Sequence, residues 1–348
     1  MKAWVAEGHG TALQPADLPD RAPQGTEVVV SVAFCGLCHS DLHLWHGTVD
    51  LGPRGVIERP LPPSPIAFGH EISGTVARVG PEAKDIAPGD KVVVFPWIGC
   101  GKCPACLAGQ ENLCSGTPRF LGMQEHGGFA DEVTVPHPRY LVPLGDLDPA
   151  LAATYACSGV TVRSAIRKIL PRPADDPVVI IGAGGLGLQA VAVLKALGHD
   201  AIVVTDANPA KAETVQATGA HFVVTGAKGD LDAVLAVTGD KVGAVLDFVN
   251  NAATATLGFD LLRKGGKMVP VGLHGGEMAL PLFPVAAQAL TIEGNLTGTL
   301  QDFKDVLRMA REGALAPTPI ERVAKSEIND AMARLEAGDV AGRLVLER

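Results

Sequence analysis

The chain has 348 residues, enough for two domains with full cores. Its composition, 47 % hydrophobic and 19 % charged, is that of a globular protein and excludes intrinsic disorder. A net charge of −9 argues against nucleic acid as the main partner. The first residues lack an apolar signal core, and seven cysteines without one predict reduced thiols, metal sites and a cytoplasmic location.

The predicted elements fall into two regions. Residues 1–150 show short β-rich runs separated by turns, whereas strands and helices alternate from about residue 177 onwards. Such alternation predicts a doubly wound parallel sheet. The longest uncharged run, between Asp176 and Lys195, contains Pro177 and four glycines and predicts strand–turn–helix rather than a membrane span. The predicted strands are 28–33, 91–95, 178–181, 201–205, 222–225, 244–248, 267–271 and 343–346, and the predicted helices are 186–197, 209–218, 257–262, 302–311 and 328–336.

Four cysteines lie within one short segment, the lobe 96–116. Cys100, Cys103, Cys106 and Cys114 have the spacing C-x2-C-x2-C-x7-C. Four thiolates close a tetrahedral shell around one zinc ion and leave no position for substrate, so this site is predicted to be structural. Disulfides fit poorly because nothing indicates secretion. An iron–sulfur cluster remains an alternative.

A glycine-rich sequence follows the predicted strand 178–181. The run from Gly182 to Gly187 reads G-A-G-G-L-G and opens a predicted helix, the setting in which G-x-G-x-x-G binds a dinucleotide pyrophosphate. Asp206 ends the next predicted strand, where a carboxylate accepts hydrogen bonds from the adenosine ribose and favours NAD over NADP. Lys211 lies one turn further on, within reach of a ribose or phosphate. The alternative for Asp206 is a helix N-cap. The predicted cofactor-binding residues here are Gly182, Gly184, Gly185, Leu186, Gly187, Asp206 and Lys211.

A second group of metal-ligand residue types is spread over three segments. Cys38 opens the run C-H-S-D-L-H, His70 lies in G-H-E, and Cys157 precedes the dinucleotide unit. Two thiolates and one imidazole leave the fourth position of a zinc ion open for water or substrate. Taken singly, each residue fits a buried core thiol or a turn histidine better than a metal ligand. Their joint occurrence beside the four-cysteine lobe and the dinucleotide unit instead favours a metal site.

In this combination and order, the motifs resemble those of the zinc-containing alcohol dehydrogenases of the medium-chain dehydrogenase/reductase superfamily. Gly342-Arg343 also fits, so the resemblance covers essentially the whole chain. It implies an α/β fold with a Rossmann doubly wound parallel sheet domain, residues 156–295. It further implies a β-rich GroES-like catalytic domain, residues 1–155 with 296–348. Chains of this length in the family are commonly tetramers, with a dimer as the alternative.

The resemblance also implies the roles of individual residues. Cys38, His70 and Cys157 would hold a catalytic zinc, with Glu71 behind it and able to enter the coordination shell, and Asp41 would orient His70. The zinc would lower the pKa of the bound alcohol, whose carbon gives hydride to the nicotinamide ring.

By the same resemblance, Ser40 accepts the alcohol proton, which passes through the nicotinamide ribose to His43. His39 and Arg343 would lie near the pyrophosphate. The residues expected beside the nicotinamide half are Thr161, Val271, Gly272, Leu273 and Leu296.

Few sequence features indicate which residues form the substrate pocket. Trp97 and Trp45 are candidate walls, and each fits a core aromatic equally well. Cys35 matches no ligand position and is predicted to be core. The segment 47–68 contains five prolines. It is longer than in compact family members, which suggests that it overhangs the pocket mouth or a subunit contact.

The predicted function is reversible hydride transfer between a primary or secondary alcohol and NAD, with two zinc ions per chain. The alternatives are a polyol or sugar-alcohol dehydrogenase of the same superfamily and a non-catalytic, zinc-stabilised dinucleotide-binding protein. Cys157 argues against the first, because those enzymes often have an acidic residue there. The intact set of Cys38, His70, Cys157, Ser40 and His43 argues against the second.

Overall fold

The structure is a computed structural model that describes residues 1–61, 65–226, 229–340 and 342–348. The strands are β1 Lys2–Val5, β2 Gln14–Asp17, β3 Val28–Gly36, β4 Thr48–Asp50, β5 Val56–Glu58, β6 Glu71–Val79, β7 Lys91–Val94, β8 Glu132–Val135, β9 Leu141–Pro143, β10 Val178–Ile181, β11 Ile202–Asp206, β12 His221–Val224, β13 Val242–Asp247, β14 Leu262–Pro270, β15 Thr291–Ile292, β16 Ile320–Ala324 and β17 Arg343–Glu347. The α-helices are α1 His39–His46, α2 Pro104–Leu107, α3 Pro149–Thr154, α4 Val160–Ile169, α5 Gly185–Ala196, α6 Ala212–Gln216, α7 Leu231–Thr238, α8 Ala252–Asp260, α9 Leu282–Ala287, α10 Leu300–Arg311 and α11 Ile328–Ala337.

The first sheet is built mainly from the N-terminal region. Its order is β16-β17-β3-β6-β7-β9, and β8 also pairs with β3. The β16–β17 pair is parallel and the other pairs are antiparallel. Strand β3 is central, and its valines at 28, 30 and 32 are buried, as expected for alternating side chains on one core-facing side. Because β17 pairs antiparallel with β3, the start of β17 lies beside the residues that precede α1, and the Leu37 amide donates to the Leu344 carbonyl at 2.9 Å.

The second sheet has the order β12-β11-β10-β13-β14-β15, and all its pairs are parallel. Numbered from β10, this is the order 3-2-1-4-5-6 of a dinucleotide-binding fold. All four residues of β10 are buried, because helices cover both faces of such a sheet. The predicted fold class, a Rossmann sheet beside a β-rich GroES-like domain, is confirmed.

Several local predictions differ from the structure. The helix predicted at 257–262 is wrong at its end, because α8 ends at Asp260 and Leu262 already pairs with Val242 in the parallel sheet. The helix predicted at 209–218 begins as a 3-10 turn, Pro209–Lys211, and continues as α6. The sequence predicted no helix over α1, α4 or α7. Helix α1 escaped notice because its residues are mostly polar and form no apolar stripe.

One continuous helical run links the two sheets. Helix α3 leads into a π-helical turn, Tyr155–Gly159, which leads into α4. The domain boundary predicted between residues 155 and 156 falls at this π-helical turn. One cluster of buried hydrophobic residues extends from the antiparallel sheet through this run to one side of the parallel sheet, and a second, separate cluster contains Val179, Val203 and Val245 of the parallel sheet. Within the described residues, no helix has the length and apolar character needed to cross a membrane.

Candidate active site

Four buried side chains with metal-binding atoms meet between the two sheets. The donor atoms of Cys38, His70, Glu71 and Cys157 all lie within 4.8 Å of one another. Cys38 is the N-cap of α1, directly after β3. Glu71 is the first residue of β6 and His70 directly precedes it, and Cys157 lies in the π-helical turn. Turns of this kind re-aim one side chain within a helix and are frequent at functional sites.

The donor atoms fit a zinc ion. The sulfurs of Cys38 and Cys157 are 3.7 Å apart, close to the separation of about 3.8 Å expected for ligands 2.3 Å from a tetrahedral zinc. Both ring nitrogens of His70 are buried, and neither has a hydrogen-bond partner among the described residues. Buried polar atoms are rarely left unpaired, so this imidazole indicates a missing partner such as a metal. The hydrogen bond between the two sulfurs lowers the pKa of Cys38 and raises that of Cys157.

Asp41 fixes the backbone around these side chains. Its Oδ2 accepts a hydrogen bond from the Cys38 amide at 2.9 Å, and its Oδ1 accepts one from the Gly69 amide at 3.1 Å. The same Oδ1 lies 3.4 Å from Nδ1 of His70. Asp41 is fully buried, and its carboxylate faces Nδ1 of His70 in a contact that does not meet hydrogen-bond geometry, while Nε2 faces no hydrogen-bond partner among the described residues.

Glu71 and Arg343 form a buried ion pair behind the cluster. Arg343 Nη2 donates to Glu71 Oε1, while Glu71 Oε2 has no partner among the described residues. Burial raises the pKa of Glu71 to about 8, although Arg343 acts in the opposite direction. A Cβ atom on Gly185 would lie 2.4 Å from Cδ of Arg343. Arg343 therefore connects the cysteine–histidine cluster to the glycine-rich loop.

The glycine-rich loop turns from β10 into α5. A Cβ atom on Gly187 would lie 1.9 Å from the carbonyl oxygen of Gly182, so a glycine is required where helix and strand approach each other. The first residues of α5, Gly185 and Leu186, line a cavity, so the helix N-terminus is accessible to a pyrophosphate.

Asp206 lies at the end of β11, next to this loop. Its Oδ2 accepts hydrogen bonds from the Ala183 amide at 2.8 Å and from Nζ of Lys211 at 2.9 Å. Its Oδ1 accepts one from the Asn208 amide at 2.9 Å. Burial opposes ionisation of Asp206, but these donors outweigh it and lower the pKa. The alternative reading of Asp206 as a helix N-cap is wrong, because Asn208 caps the following turn by accepting from Ala210.

A cavity of about 1080 Å³ runs along this cleft and includes most of the predicted site residues. It is large for a ligand site, since most pockets have volumes of about 300–1,000 Å³. Asp41, His70 and Glu71 lie behind its wall. The predicted residues that line it are Cys38, His39, Ser40, His43, Trp97, Cys157, Thr161, Gly182, Gly184, Gly185, Leu186, Gly187, Asp206, Lys211, Val271, Gly272, Leu273, Leu296 and Arg343.

The two candidate tryptophans differ in position. Trp97 lines the cavity, its ring lies 5.2 Å from that of His70, and its Nε1 donates to the Ala156 carbonyl at 2.9 Å. Trp45 is outside the cavity lining and donates to the Thr11 carbonyl at 2.6 Å. Cys35 is buried, as expected of a core residue.

Sequence reasoning missed several lining residues. Phe120 and Met123 line the cavity beside Trp97, and His274 lines it beside Leu273. Phe120 and Met123 belong to an irregular segment with no motif to single them out. His274 directly follows the predicted nicotinamide-side run 271–273, and this position in the sequence could have identified it as a lining residue.

The four-cysteine lobe is also assembled as a metal site. The sulfur of Cys103 lies 3.4 Å from that of Cys106 and 3.9 Å from that of Cys114. Cys100 and Cys106 are separated by 4.0 Å. These separations are far from the S–S bond length of about 2.05 Å, and all the cysteines are free, so the disulfide alternative is wrong.

A hydrogen-bond network anchors the lobe. Glu111 Oε2 accepts from the Gly99 amide at 2.9 Å and from the Tyr140 hydroxyl at 2.7 Å. Arg139 pairs with Glu111 Oε1 at 3.0 Å. Because Gly99 precedes the first cysteine of the lobe, the network fixes the lobe against the antiparallel sheet.

Comparison with known proteins assigns the family. The family model described as "Alcohol dehydrogenase GroES-like domain" matches residues 24–146, and the "Zinc-binding dehydrogenase" model matches residues 185–312. The NAD-dependent alcohol dehydrogenase of Sulfurisphaera tokodaii is 34 % identical, with 99 % of each chain covered. The chain belongs to the zinc-containing alcohol dehydrogenase family.

Other members of this family and its superfamily are similar over the whole length. An alcohol dehydrogenase of Geobacillus stearothermophilus is 33 % identical, covering 100 % of this chain and 99 % of the relative. The D-arabinose 1-dehydrogenase (NADP(+)) of Saccharolobus solfataricus is 31 % identical, covering 96 % and 93 %. The crystal structure of the Aeropyrum pernix alcohol dehydrogenase superposes with a TM-score of 0.87 at 29 % identity, with both chains fully covered.

Proposed function

We propose that the protein is an NAD-dependent alcohol dehydrogenase that transfers hydride reversibly between a primary or secondary alcohol and NAD. One observation carries the proposal: a single cavity is lined by Cys38 and Cys157, with His70 behind, and by the glycine-rich loop with Asp206. A metal centre and a dinucleotide site in one cleft match the requirements of hydride transfer. The names of the full-length relatives agree with this function.

Two zinc ions per chain are part of the proposal. Cys38, His70 and Cys157 would hold the first zinc ion, and Glu71 would be able to enter its coordination shell. The four-cysteine lobe would hold the second zinc ion. When bound at the first site, zinc supplies a Lewis acid that lowers the pKa of a substrate hydroxyl. The side chain of Trp97 packs beside His70 and excludes water from that side. The lobe has no open position and would contribute stability only.

The chain's own groups then move the proton. Ser40 Oγ lies 3.7 Å from the sulfur of Cys38 and lines the cavity, so it would accept the proton of a substrate alcohol bound there. His43 lines the same cavity one helical turn further along α1. Burial and the neighbouring His39 lower the pKa of His43. A neutral imidazole is available to accept the proton at neutral pH.

Asp206 would select the cofactor. Its carboxylate would accept hydrogen bonds from the adenosine ribose and repel a 2′-phosphate, so NAD is favoured. The second candidate function is the oxidation of a sugar, which the similarity to a D-arabinose 1-dehydrogenase supports. The name of that relative specifies NADP as its cofactor. A non-catalytic role is the third.

The remaining proposals concern assembly and location. We expect domains at residues 1–155 with 296–348 and at 156–295, a cytoplasmic homotetramer with a dimer as the alternative, and no nucleic acid or membrane partner. Light scattering on the purified protein measures the assembly.

The function is tested by initial-rate reduction of NAD with short, medium-chain, benzylic and secondary alcohols and with D-arabinose, with NADP run in parallel. Turnover of an alcohol with NAD supports the proposal and ranks substrates. Turnover of the aldose alone favours the second candidate. No turnover in protein shown to contain two zinc ions per chain favours the non-catalytic role.

A further inference from the structure

The hairpin formed by β4 and β5, residues 48–58, projects from the antiparallel region. Thr48 to Asp50 pair with Glu58 to Val56, and the Arg59 amide donates to the Gly47 carbonyl at 2.6 Å to close its base. The hairpin lies within the proline-rich segment 47–68, of which residues 62–64 are outside the described residues. Both strands are largely exposed, so the hairpin adds little to the core.

The tip of the hairpin is fastened to three successive residues that follow β14. The Gly276 amide donates to the Asp50 carbonyl at 3.1 Å, and Arg54 Nε donates to Glu277 Oε2 at 3.2 Å. Gly275 has a φ of +87°, and a Cβ atom there would lie 2.2 Å from the Asp50 oxygen. Only glycine allows the two backbones to approach this closely.

The fastened residues continue the wall of the cleft. Leu273 and His274, which line the cavity, precede Gly275 directly. On the hairpin side, the residues that follow β5, Arg59 to Leu61, line the same cavity. The hairpin therefore joins two walls of the cavity, one from each sheet region, with a backbone hydrogen bond and an ion pair.

We propose that the hairpin is a latch, and that Arg54 and Glu277 are positioning residues which hold Leu273 and His274 against the nicotinamide half of the cofactor. The cofactor leaves when the latch opens. The identity of the ligand rests on the proposed function, whereas the latch itself rests on the contacts of Asp50, Arg54 and Glu277 alone.

The expected effect of one ion pair is small. Arg54 and Glu277 are 76 % and 40 % exposed, and a solvent-exposed pair contributes at most about 1 kcal/mol, a factor of up to about five. Removing the whole hairpin also removes the backbone hydrogen bond and the close packing at Gly275, so we expect about a tenfold effect or more.

The test is stopped-flow release of NADH from the full-length, metal-loaded protein. Arg54→Glu and Glu277→Arg are each expected to speed release by up to about fivefold, and the double variant R54E/E277R to restore the wild-type rate. Arg308→Glu is the matched control, because it breaks a similarly exposed ion pair between Arg308 on α10 and Glu312, the residue after that helix. A variant with a single glycine in place of residues 48–58 should release NADH fastest; its melting temperature reports whether it has folded.

A second readout is independent of the cofactor. Hydrogen–deuterium exchange at residues 273–277 of the cofactor-free protein should rise in the single variants and return to the wild-type rate in the double variant. Unchanged exchange and unchanged release in a folded hairpin-less variant would overturn the latch. If wild-type protein fails to bind NADH, the proposed function is overturned, and the exchange result alone decides whether the hairpin is a latch.

Discussion

Replacing Asp206 with serine is expected to invert much of the cofactor preference. Its side chain is 12 % exposed and accepts from the Ala183 and Asn208 amides and from Lys211. Hydrogen bonds to a charged acceptor contribute about 1.5–3 kcal/mol, so losing those to the ribose should lower kcat/KM with NAD about 10- to 150-fold.

The same substitution changes the role of Lys211. Its side chain is 31 % exposed, and its ammonium group loses the carboxylate partner and becomes available to a 2′-phosphate. A partly exposed ion pair contributes about 1 kcal/mol, which corresponds to about a fivefold gain in kcat/KM with NADP. The ratio of the two kcat/KM values should fall by roughly two orders of magnitude.

The assay is initial-rate kinetics with both cofactors on Asp206→Ser, Asp206→Asn and the double variant D206S/K211A. The double variant should lose the gain with NADP and keep the loss with NAD. Asp206→Asn retains acceptors for the amides and separates the effect of charge from that of loop structure. An unchanged NAD-to-NADP ratio in a variant with a native melting temperature would refute the reasoning.

Three further predictions concern the metal sites and their support. Cys38→Ser should reduce turnover more than a thousandfold, leave NADH binding intact and lower the zinc content by one ion per chain, measured by mass spectrometry; residual activity near the wild-type value would contradict the ligand assignment. Cys106→Ser should lower the melting temperature while the catalytic zinc stays bound, because the lobe has no open position. Tyr140→Phe removes one donor to Glu111 and should cost about 1 kcal/mol, a loss of about 2 °C measured calorimetrically; an unchanged melting temperature would mean that the network does not anchor the lobe.

Local signals predicted the dinucleotide unit. The strand 178–181 has the predicted bounds, and the glycine at 187 is required by one backbone approach. The meeting of Cys38, His70 and Cys157 came from family resemblance, because no periodicity links three segments so far apart. Their geometry agrees with the expected site, and their role as ligands stays a prediction.

Other features lacked any local signal. The contact of Arg54 with Glu277 spans 223 residues, and nothing in either segment indicates the other. Trp45 and Trp97 are the same residue type, and only the fold shows that one lines the cavity while the other bonds to Thr11. Helix α1 gave no apolar periodicity because most of its side chains are polar, among them the capping Asp41.

The two cysteine clusters differ in how much chain must be ordered to form them. The outer members of the lobe are 14 residues apart, whereas Cys38 and Cys157 are 119 apart and the Glu71–Arg343 pair behind them spans 272. Closing a longer loop costs more entropy, and contacts of high sequence separation form late. During synthesis the lobe can assemble soon after Cys114 emerges, whereas the cluster of Cys38, His70 and Cys157 also requires Cys157, and the Glu71–Arg343 pair behind it requires β17. Metal loading would therefore be sequential, with the lobe filled first and the reactive thiols last.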